Sequence, residues 1–161
     1  MSVLDRGRRW IRHRRARRLR RRARSLDLAD LGDDVASLRS IAESDDGRAR
    51  FLAVEGLTAV ARNGQSDPVR EDATTALFAV FRQADEELQG VTARSLRYVG
   101  LEREAVAPRL DAPFARVLDR WDHAAHGRVA VDAGMVLARS DPRNDLPESR
   151  EALREAIVGA P

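Results

Sequence analysis

The sequence predicts an all-α fold preceded by a basic N-terminal arm, and three observations predict it. From Asp33 onward, apolar residues recur at spacings of three and four without strand-like alternation. Glycine and proline interrupt this pattern at intervals of about one helix plus a turn. Charge is also divided, because residues 1–24 hold twelve arginines and one acid (+11), whereas residues 25–161 hold 17 arginines and 25 acids (−8).

The arm is assigned to residues 1–26 and the acidic helical domain to residues 27–161. Positive charge this dense repels itself in water, so we expect the arm to be loose until it meets a polyanion. Its apolar residues recur at helical spacing and form one thin stripe: Ala16, Leu19, Ala23 and Leu26. The stripe is predicted to be too narrow to anchor a core.

The domain is predicted to be a succession of helices. Their apolar stripes are, in order, Val35, Leu38 and Ile41; Phe51, Val54, Leu57, Val60 and Ala61; Val69, Ala73, Leu77, Val80 and Phe81; residues 91–99; and Phe114, Val117, Leu118 and Trp121. The predicted breaks are Gly47, residues 64–68, Gly90, Gly100, residues 111–113, Gly127 and residues 141–142. Asp67 and Pro68 are typical of an N-cap followed by proline at the first helical position.

Two of these helices repeat each other at an offset of 20 residues. Segments 47–61 and 67–81 share identical residues at five of fifteen aligned positions, more than the one or two expected by chance. The identical pairs are Arg50 and Arg70, Ala53 and Ala73, Leu57 and Leu77, Ala59 and Ala79, and Val60 and Val80. An interval near 20 implies helix pairs of about 40 residues.

The run Asp67-Pro-Val-Arg-Glu-Asp-Ala-Thr-Thr-Ala-Leu-Phe-Ala-Val80 resembles a HEAT-type repeat helix. That family's usual pattern is Asp-Pro, a Val-Arg pair, an alanine one turn later, and then Ala-Leu. The resemblance is fainter over residues 47–61 and 127–139. It implies a short right-handed stack of antiparallel helix pairs, a HEAT-like or armadillo-like α-solenoid.

The resemblance also implies roles for individual residues: Asp67 caps its helix, and Arg70 bridges neighbouring repeats. The sequence departs from the family where Gly47 replaces the capping aspartate and where Pro108 and Pro113 interrupt the periodicity. The positions that we expect to be structural are Arg50, Leu57, Asp67, Pro68, Arg70 and Leu77.

Composition excludes several chemistries. The chain has no cysteine and no lysine, which removes disulfides, thiolate catalysis, Schiff-base chemistry and the phosphate-loop lysine. It also lacks a glycine-rich phosphate loop and a nucleophile elbow. We therefore predict a protein that is not an enzyme and uses no cofactor. The use of arginine and never lysine as the basic residue indicates a GC-rich genome. The acidic domain suits a salt-loving microbe.

A candidate metal site lies on one predicted helix. Asp119, His123 and His126 recur at spacings of four and three, which places two imidazoles and a carboxylate on one face. A closed site needs more ligands, and no glutamate stands between the histidines as in metalloproteases. We favour a solvated polar face beside Trp121, so metal binding is the lesser alternative.

Three acidic clusters, at residues 33–34, 45–46 and 85–87, fall at predicted helix starts or loops. Carboxylates there complement the helix dipole, so capping is the ordinary interpretation. The alternative is that they hold the arm when no partner is bound.

The arm carries the function prediction. Guanidinium groups fork onto phosphates and stack on bases, so we predict that the arm binds RNA, ribosomal or other, while the helical stack contacts a protein partner. The predicted RNA-binding residues are Arg6, Arg8, Arg9, Trp10, Arg12, Arg14, Arg15, Arg17, Arg18, Arg20, Arg21, Arg22 and Arg24. Trp10 is a candidate for base stacking; membrane-interface placement and docking on the first helix of the domain are the alternatives.

The alternative function is a scaffold or regulator of other proteins whose arm contacts anionic membrane or DNA. Against the membrane, the arm's apolar face is sparse; against sequence-specific DNA binding, no recognition-helix motif is present. Residues 8–12 resemble the start of a twin-arginine export signal, but arginines follow where an apolar stretch is needed. We therefore predict a cytoplasmic protein with no membrane span.

Overall fold

The computed structural model describes residues 10–20, 31–44, 46–64, 66–119, 129–136 and 146–158. Within these ranges the regular secondary structure is helical and contains no strand, which confirms the all-α prediction for that part of the chain. The chain divides into two compact units, Met1–Ala84 and Asp85–Pro161. The boundary predicted after residue 26 lies outside the described residues and stays a prediction.

The first unit is built from consecutive helices. Its described helices are α1 (residues 10–20), α2 (Leu31–Ala42), α3 (Gly47–Asn63) and α4 (Asp67–Gln83). Helices α2, α3 and α4 pack on one another, and each contributes a leucine that is 0% exposed: Leu38, Leu57 and Leu77. Burial of each such leucine side chain contributes about 1.5–3 kcal/mol of transfer free energy. The packed faces of these three helices therefore form the core of the unit.

The predicted internal repeat is also a repeat of burial. Helices α3 and α4 are each 17 residues long. The repeated alanine, leucine and valine are buried in both helices at three aligned pairs: Ala53 and Ala73, Leu57 and Leu77, and Val60 and Val80. Arg50 and Arg70 are both half-buried. Four of the five identical pairs therefore match in burial, whereas Ala59 is half-buried and its counterpart Ala79 is buried.

The start of α4 differs from the prediction by one residue. The N-cap is Ser66, whose backbone is extended, whereas Asp67 is the first helical residue and Pro68 the second. Asp67 forms an ion pair with Arg70 in the same helix. The prediction that Asp67 is the N-cap is wrong, although a carboxylate in the first turn still complements the helix dipole.

Two glycines predicted as helix breaks, Gly90 and Gly100, lie inside α5. A Cβ on Gly100 would stand 2.8 Å from Cδ1 of Leu110. This glycine therefore permits a close approach between α5 and the short 3-10 helix Ala107–Leu110 that follows it. The break predicted at residues 111–113 is instead the first turn of a helix. Thr74 of α4 is buried, and its Oγ1 donates a hydrogen bond to the Arg70 carbonyl at 2.7 Å.

The second unit contains the remaining described helices. They are α5 (Glu86–Glu102), a 3-10 helix (Ala107–Leu110), α6 (Asp111–Leu118), α7 (residues 129–136) and α8 (Pro147–Val158). The 3-10 helix contacts both α5 and α6, and α6 packs on α8.

Asp111 fastens α6 to the start of α8. Its Oδ1 accepts a hydrogen bond from the Ser149 amide at 2.6 Å, and its Oδ2 accepts one from the Glu148 amide at 3.1 Å. The Ser149 hydroxyl donates in return to the Asp111 carbonyl at 3.0 Å. One carboxylate from α6, a helix distant in sequence, thus accepts hydrogen bonds from two amides in the first turn of α8 that have no partner within their own helix.

Replacing Asp111 with alanine is expected to lower the free energy of unfolding by about 1–2 kcal/mol, the effect of losing a helix cap. Urea denaturation followed by circular dichroism measures this change. Glu155→Ala, at an exposed position of α8, is the matched control and should shift the free energy by less than about 0.5 kcal/mol. An equal effect of the two variants would contradict the capping role.

A buried ion pair joins α5 to α7. Arg97 Nη1 lies 3.3 Å from Asp132 Oδ1, and the two side chains are only 9% and 3% exposed. The same nitrogen contacts Met135 Sδ, and the guanidinium lies 4.4 Å from the centroid of the Tyr98 ring. Two buried charges of opposite sign therefore depend on each other within this unit.

Candidate nucleic-acid interface

Helix α1 packs against the other helices of the first unit through the first two residues of the predicted apolar stripe. Ala16 is 0% exposed and Leu19 is 6% exposed. A Cβ on Gly56 of α3 would stand 3.6 Å from Arg20 Cα and 2.8 Å from Leu38 Cδ2. The small residues Ala16 and Gly56 allow close helix approach, so a stripe predicted to be too narrow does pack here. Ala23 and Leu26 lie outside the described residues.

Polar contacts reinforce this packing on the same side of α1. Arg20 Nη1 lies 2.7 Å from Glu55 Oε2 on α3, and Arg15 Nη2 donates to Ser37 Oγ on α2 at 2.9 Å. Both members of the ion pair are partly exposed, at 27% and 42% of the side-chain surface. Such a pair contributes little free energy, at most about 1 kcal/mol, so it orients the helix more than it holds it.

The other side of α1 is cationic and exposed. The exposed residues on it are Trp10, Ile11, Arg14, Arg17 and Arg18; Arg15 is also exposed but lies at its edge, where it reaches Ser37, and Arg12 and Arg20 are half-buried. Residues four apart on a helix stand one turn above each other, so Trp10, Arg14 and Arg18 follow one line. Helix packing has therefore sorted the arginines into a side that faces the first unit and a side that faces solvent.

A recess lies on this exposed side around Trp10. It is shallow and largely open, has a volume of about 560 Å³, and is lined by residues of this one helix: Trp10, Ile11, Arg14, Arg15 and Arg18. The Arg14 guanidinium carbon lies 5.1 Å from the centroid of the Trp10 ring, within the range of a cation–π contact. An aromatic surface and several cations are thus brought together over two turns of helix.

The other predicted site residues are the remaining arginines of the arm and the candidate metal ligands. Several lie outside the described residues: Arg6, Arg8, Arg9, Arg21, Arg22, Arg24, His123 and His126. Of the candidate metal ligands, only Asp119 is described, and it is an exposed residue that ends α6. No cluster of three or more His, Asp or Glu side chains suited to a metal ion occurs in the described ranges.

Two of the three acidic clusters supply helix caps in the structure. Asp46 Oδ1 accepts a hydrogen bond from the Ala49 amide at 3.3 Å, and Asp85 Oδ1 accepts one from the Leu88 amide at 3.0 Å. These bonds confirm the capping interpretation for α3 and α5. Glu55, which pairs with α1, belongs to none of the three clusters. The hypothesis that the clusters hold the arm stays untested.

Sequence reasoning missed the side chains that accept hydrogen bonds from the arginines of α1. Glu55 and Ser37 stand 35 and 22 residues from their arginine partners, so no local spacing indicates the contacts. A signal was nevertheless present in Gly56, whose lack of a side chain marks a place of close helix approach.

Comparisons of this chain with protein-family models, with curated proteins and with solved structures find no significant match. No helix in the described part of the chain combines the length and apolar character needed to cross a bilayer.

Proposed function

We propose that this protein binds RNA through the exposed side of α1. The observation that carries the proposal is the sorting of that helix: Ala16 and Leu19 are buried, whereas Arg14, Arg17 and Arg18 are exposed. A guanidinium group offers a planar fork of donors to phosphate oxygens and also stacks on bases. A line of such groups on a packed helix is suited to a dense polyanion.

The packing changes the expected course of binding. We expected a loose arm that folds on its partner, but residues 10–20 form a helix that buries Leu19 and contacts α2 through Arg15 and α3 through Arg20. A helix that is already formed loses less conformational entropy on binding than a loose segment does. We therefore propose that α1 presents its arginines as a preformed surface.

RNA is favoured over an anionic membrane by the composition of the exposed side. Helices that lie on membranes carry a broad apolar face, but here Trp10 and Ile11 are the only apolar residues among those exposed on α1. RNA is favoured over DNA because arginine-rich segments bind folded RNA through phosphates and unpaired bases without a groove-reading motif. The target would be ribosomal RNA or another folded RNA.

The acidic helices are proposed to contact a protein partner. Their charge disfavours nucleic acid, and the matching burial of α3 and α4 supports a stack of HEAT-like units. Stacks of this kind present extended surfaces to other proteins. The proposed function is therefore that of a non-enzymatic, cytoplasmic interaction protein that joins an RNA to a protein.

The test of this proposal compares three purified ligands at the salt concentration of the cell. The intact chain is titrated with a folded RNA hairpin, with a DNA duplex of matched length, and with phosphatidylglycerol vesicles. We expect RNA to bind most tightly, with an affinity that falls as salt rises. In lysate, sedimentation with ribonucleoprotein particles should disappear after RNase treatment. Tighter binding to vesicles, or sedimentation that survives RNase, would contradict the proposal.

A further inference from the structure

Trp10 and Ile11 expose apolar surface on a side of α1 that is otherwise made of arginines. Trp10 and Ile11 are 61% and 60% exposed, and they are two of the four large hydrophobic residues that are exposed in the described part of the chain. Contiguous apolar surface that is exposed to water often marks a binding site. Because this apolar surface lies beside arginines, it suits a ligand that has both apolar and anionic parts.

The geometry of the recess narrows the chemistry of that ligand. Arg14 lies over the Trp10 ring at 5.1 Å, which holds the indole by a cation–π contact while most of its surface stays exposed. Arg15 and Arg18 complete the recess on its cationic side. A flat aromatic group can stack on the indole while an attached phosphate meets an arginine within one helical turn, about 6 Å along the axis.

A nucleotide with an unpaired base has both of these parts. Bases inside a continuous duplex are already stacked on their neighbours, so their π-faces are closed to a protein side chain. An acidic peptide would satisfy the arginines but leave the indole uncovered. A lipid surface would need more apolar side chains than this face of α1 carries.

We infer that the recess formed by Trp10, Ile11, Arg14, Arg15 and Arg18 binds one unpaired RNA base stacked on Trp10, an inference that rests on the proposed function. The protein then selects RNA interrupted by a bulge or loop. The Arg14 side chain has two roles: it supports the indole and it contacts a phosphate. Trp10 supplies the selectivity, and the arginines supply most of the affinity.

The test uses two RNA hairpins that differ by a single bulged nucleotide. The intact chain is expected to bind the bulged hairpin about tenfold more tightly than the fully paired one, the usual scale of one base stacked on an aromatic side chain. Trp10→Ala should weaken binding of the bulged hairpin about tenfold and leave the paired hairpin unchanged. Ile11→Ala, equally exposed in the same recess but without a π-face, is the matched control and should keep most of the preference.

Tryptophan emission gives a second measurement. The chain has two tryptophans, so the difference between the intact chain and Trp10→Phe isolates the emission of Trp10. We expect quenching with the bulged hairpin only. Equal affinity for both hairpins, or equal losses in Trp10→Ala and Ile11→Ala, would overturn the stacking site and leave RNA binding intact. Failure of both hairpins to bind would overturn the proposed function itself.

Discussion

Replacing Asp132 with leucine is expected to lower the free energy of unfolding by about 3–5 kcal/mol. The change leaves the Arg97 guanidinium, whose side chain is 9% exposed, without the carboxylate that lies 3.3 Å away. A buried charge that loses its partner keeps the full cost of leaving water. Urea denaturation at neutral pH measures the effect, with circular dichroism as the readout.

Two further variants separate this explanation from simple loss of packing. The double variant Arg97→Met with Asp132→Leu removes both charges, so it should recover most of the lost free energy. Glu151→Gln breaks an exposed ion pair with Arg154 on α8, whose side chains are 60% and 69% exposed, and should change the free energy by less than about 0.5 kcal/mol. A double variant no more stable than Asp132→Leu would contradict the account.

Replacing Arg14, Arg17 and Arg18 together with glutamine is expected to weaken RNA binding about 50-fold at about 0.15 M salt. Each phosphate contact on a single strand contributes about 0.7 to the slope of log K against log salt, so three lost contacts reduce that slope by about 2. All three side chains are exposed, so the fold should be unchanged. Titration at several salt concentrations measures both quantities.

The matched control removes three exposed arginines elsewhere in the chain. Arg82, Arg94 and Arg116 lie on α4, α5 and α6, and their replacement with glutamine changes the net charge by the same amount. If RNA binds specifically to α1, this control should keep most of the affinity and most of the slope. Equal losses in the two triple variants would show that net charge alone drives binding.

Helical spacing predicted the core of the first unit because burial there follows a single period. Leu38, Leu57 and Leu77 are all fully buried as the pattern requires, and the offset of 20 residues relates α3 to α4. The assignment of breaks failed at Gly90 and Gly100. Glycine weakens an isolated helix, but tertiary packing overrides that preference where a neighbour such as Leu110 needs the space.

The candidate interface was predictable in part. Charge density alone indicated the arginine-rich segment, and Trp10 was recognised as an unusual residue within it. The sequence did not indicate which arginines face solvent, because that depends on which side of α1 is buried, the side that carries Ala16 and Leu19. The pairing of Arg20 with Glu55 likewise depends on chain segments 35 residues apart.

The central claim is that α1 contacts RNA, and ultraviolet crosslinking in living cells tests it most directly. Cleavage after aspartate releases residues 6–27 as one peptide, since Asp5 and Asp27 flank the arginine-rich segment. Mass spectrometry of the crosslinked fragments then locates the contact. We predict nucleotide adducts in this peptide, concentrated at Trp10 and absent when Arg14, Arg17 and Arg18 are replaced. Adducts found only in residues 28–161, or none above background, would contradict the account.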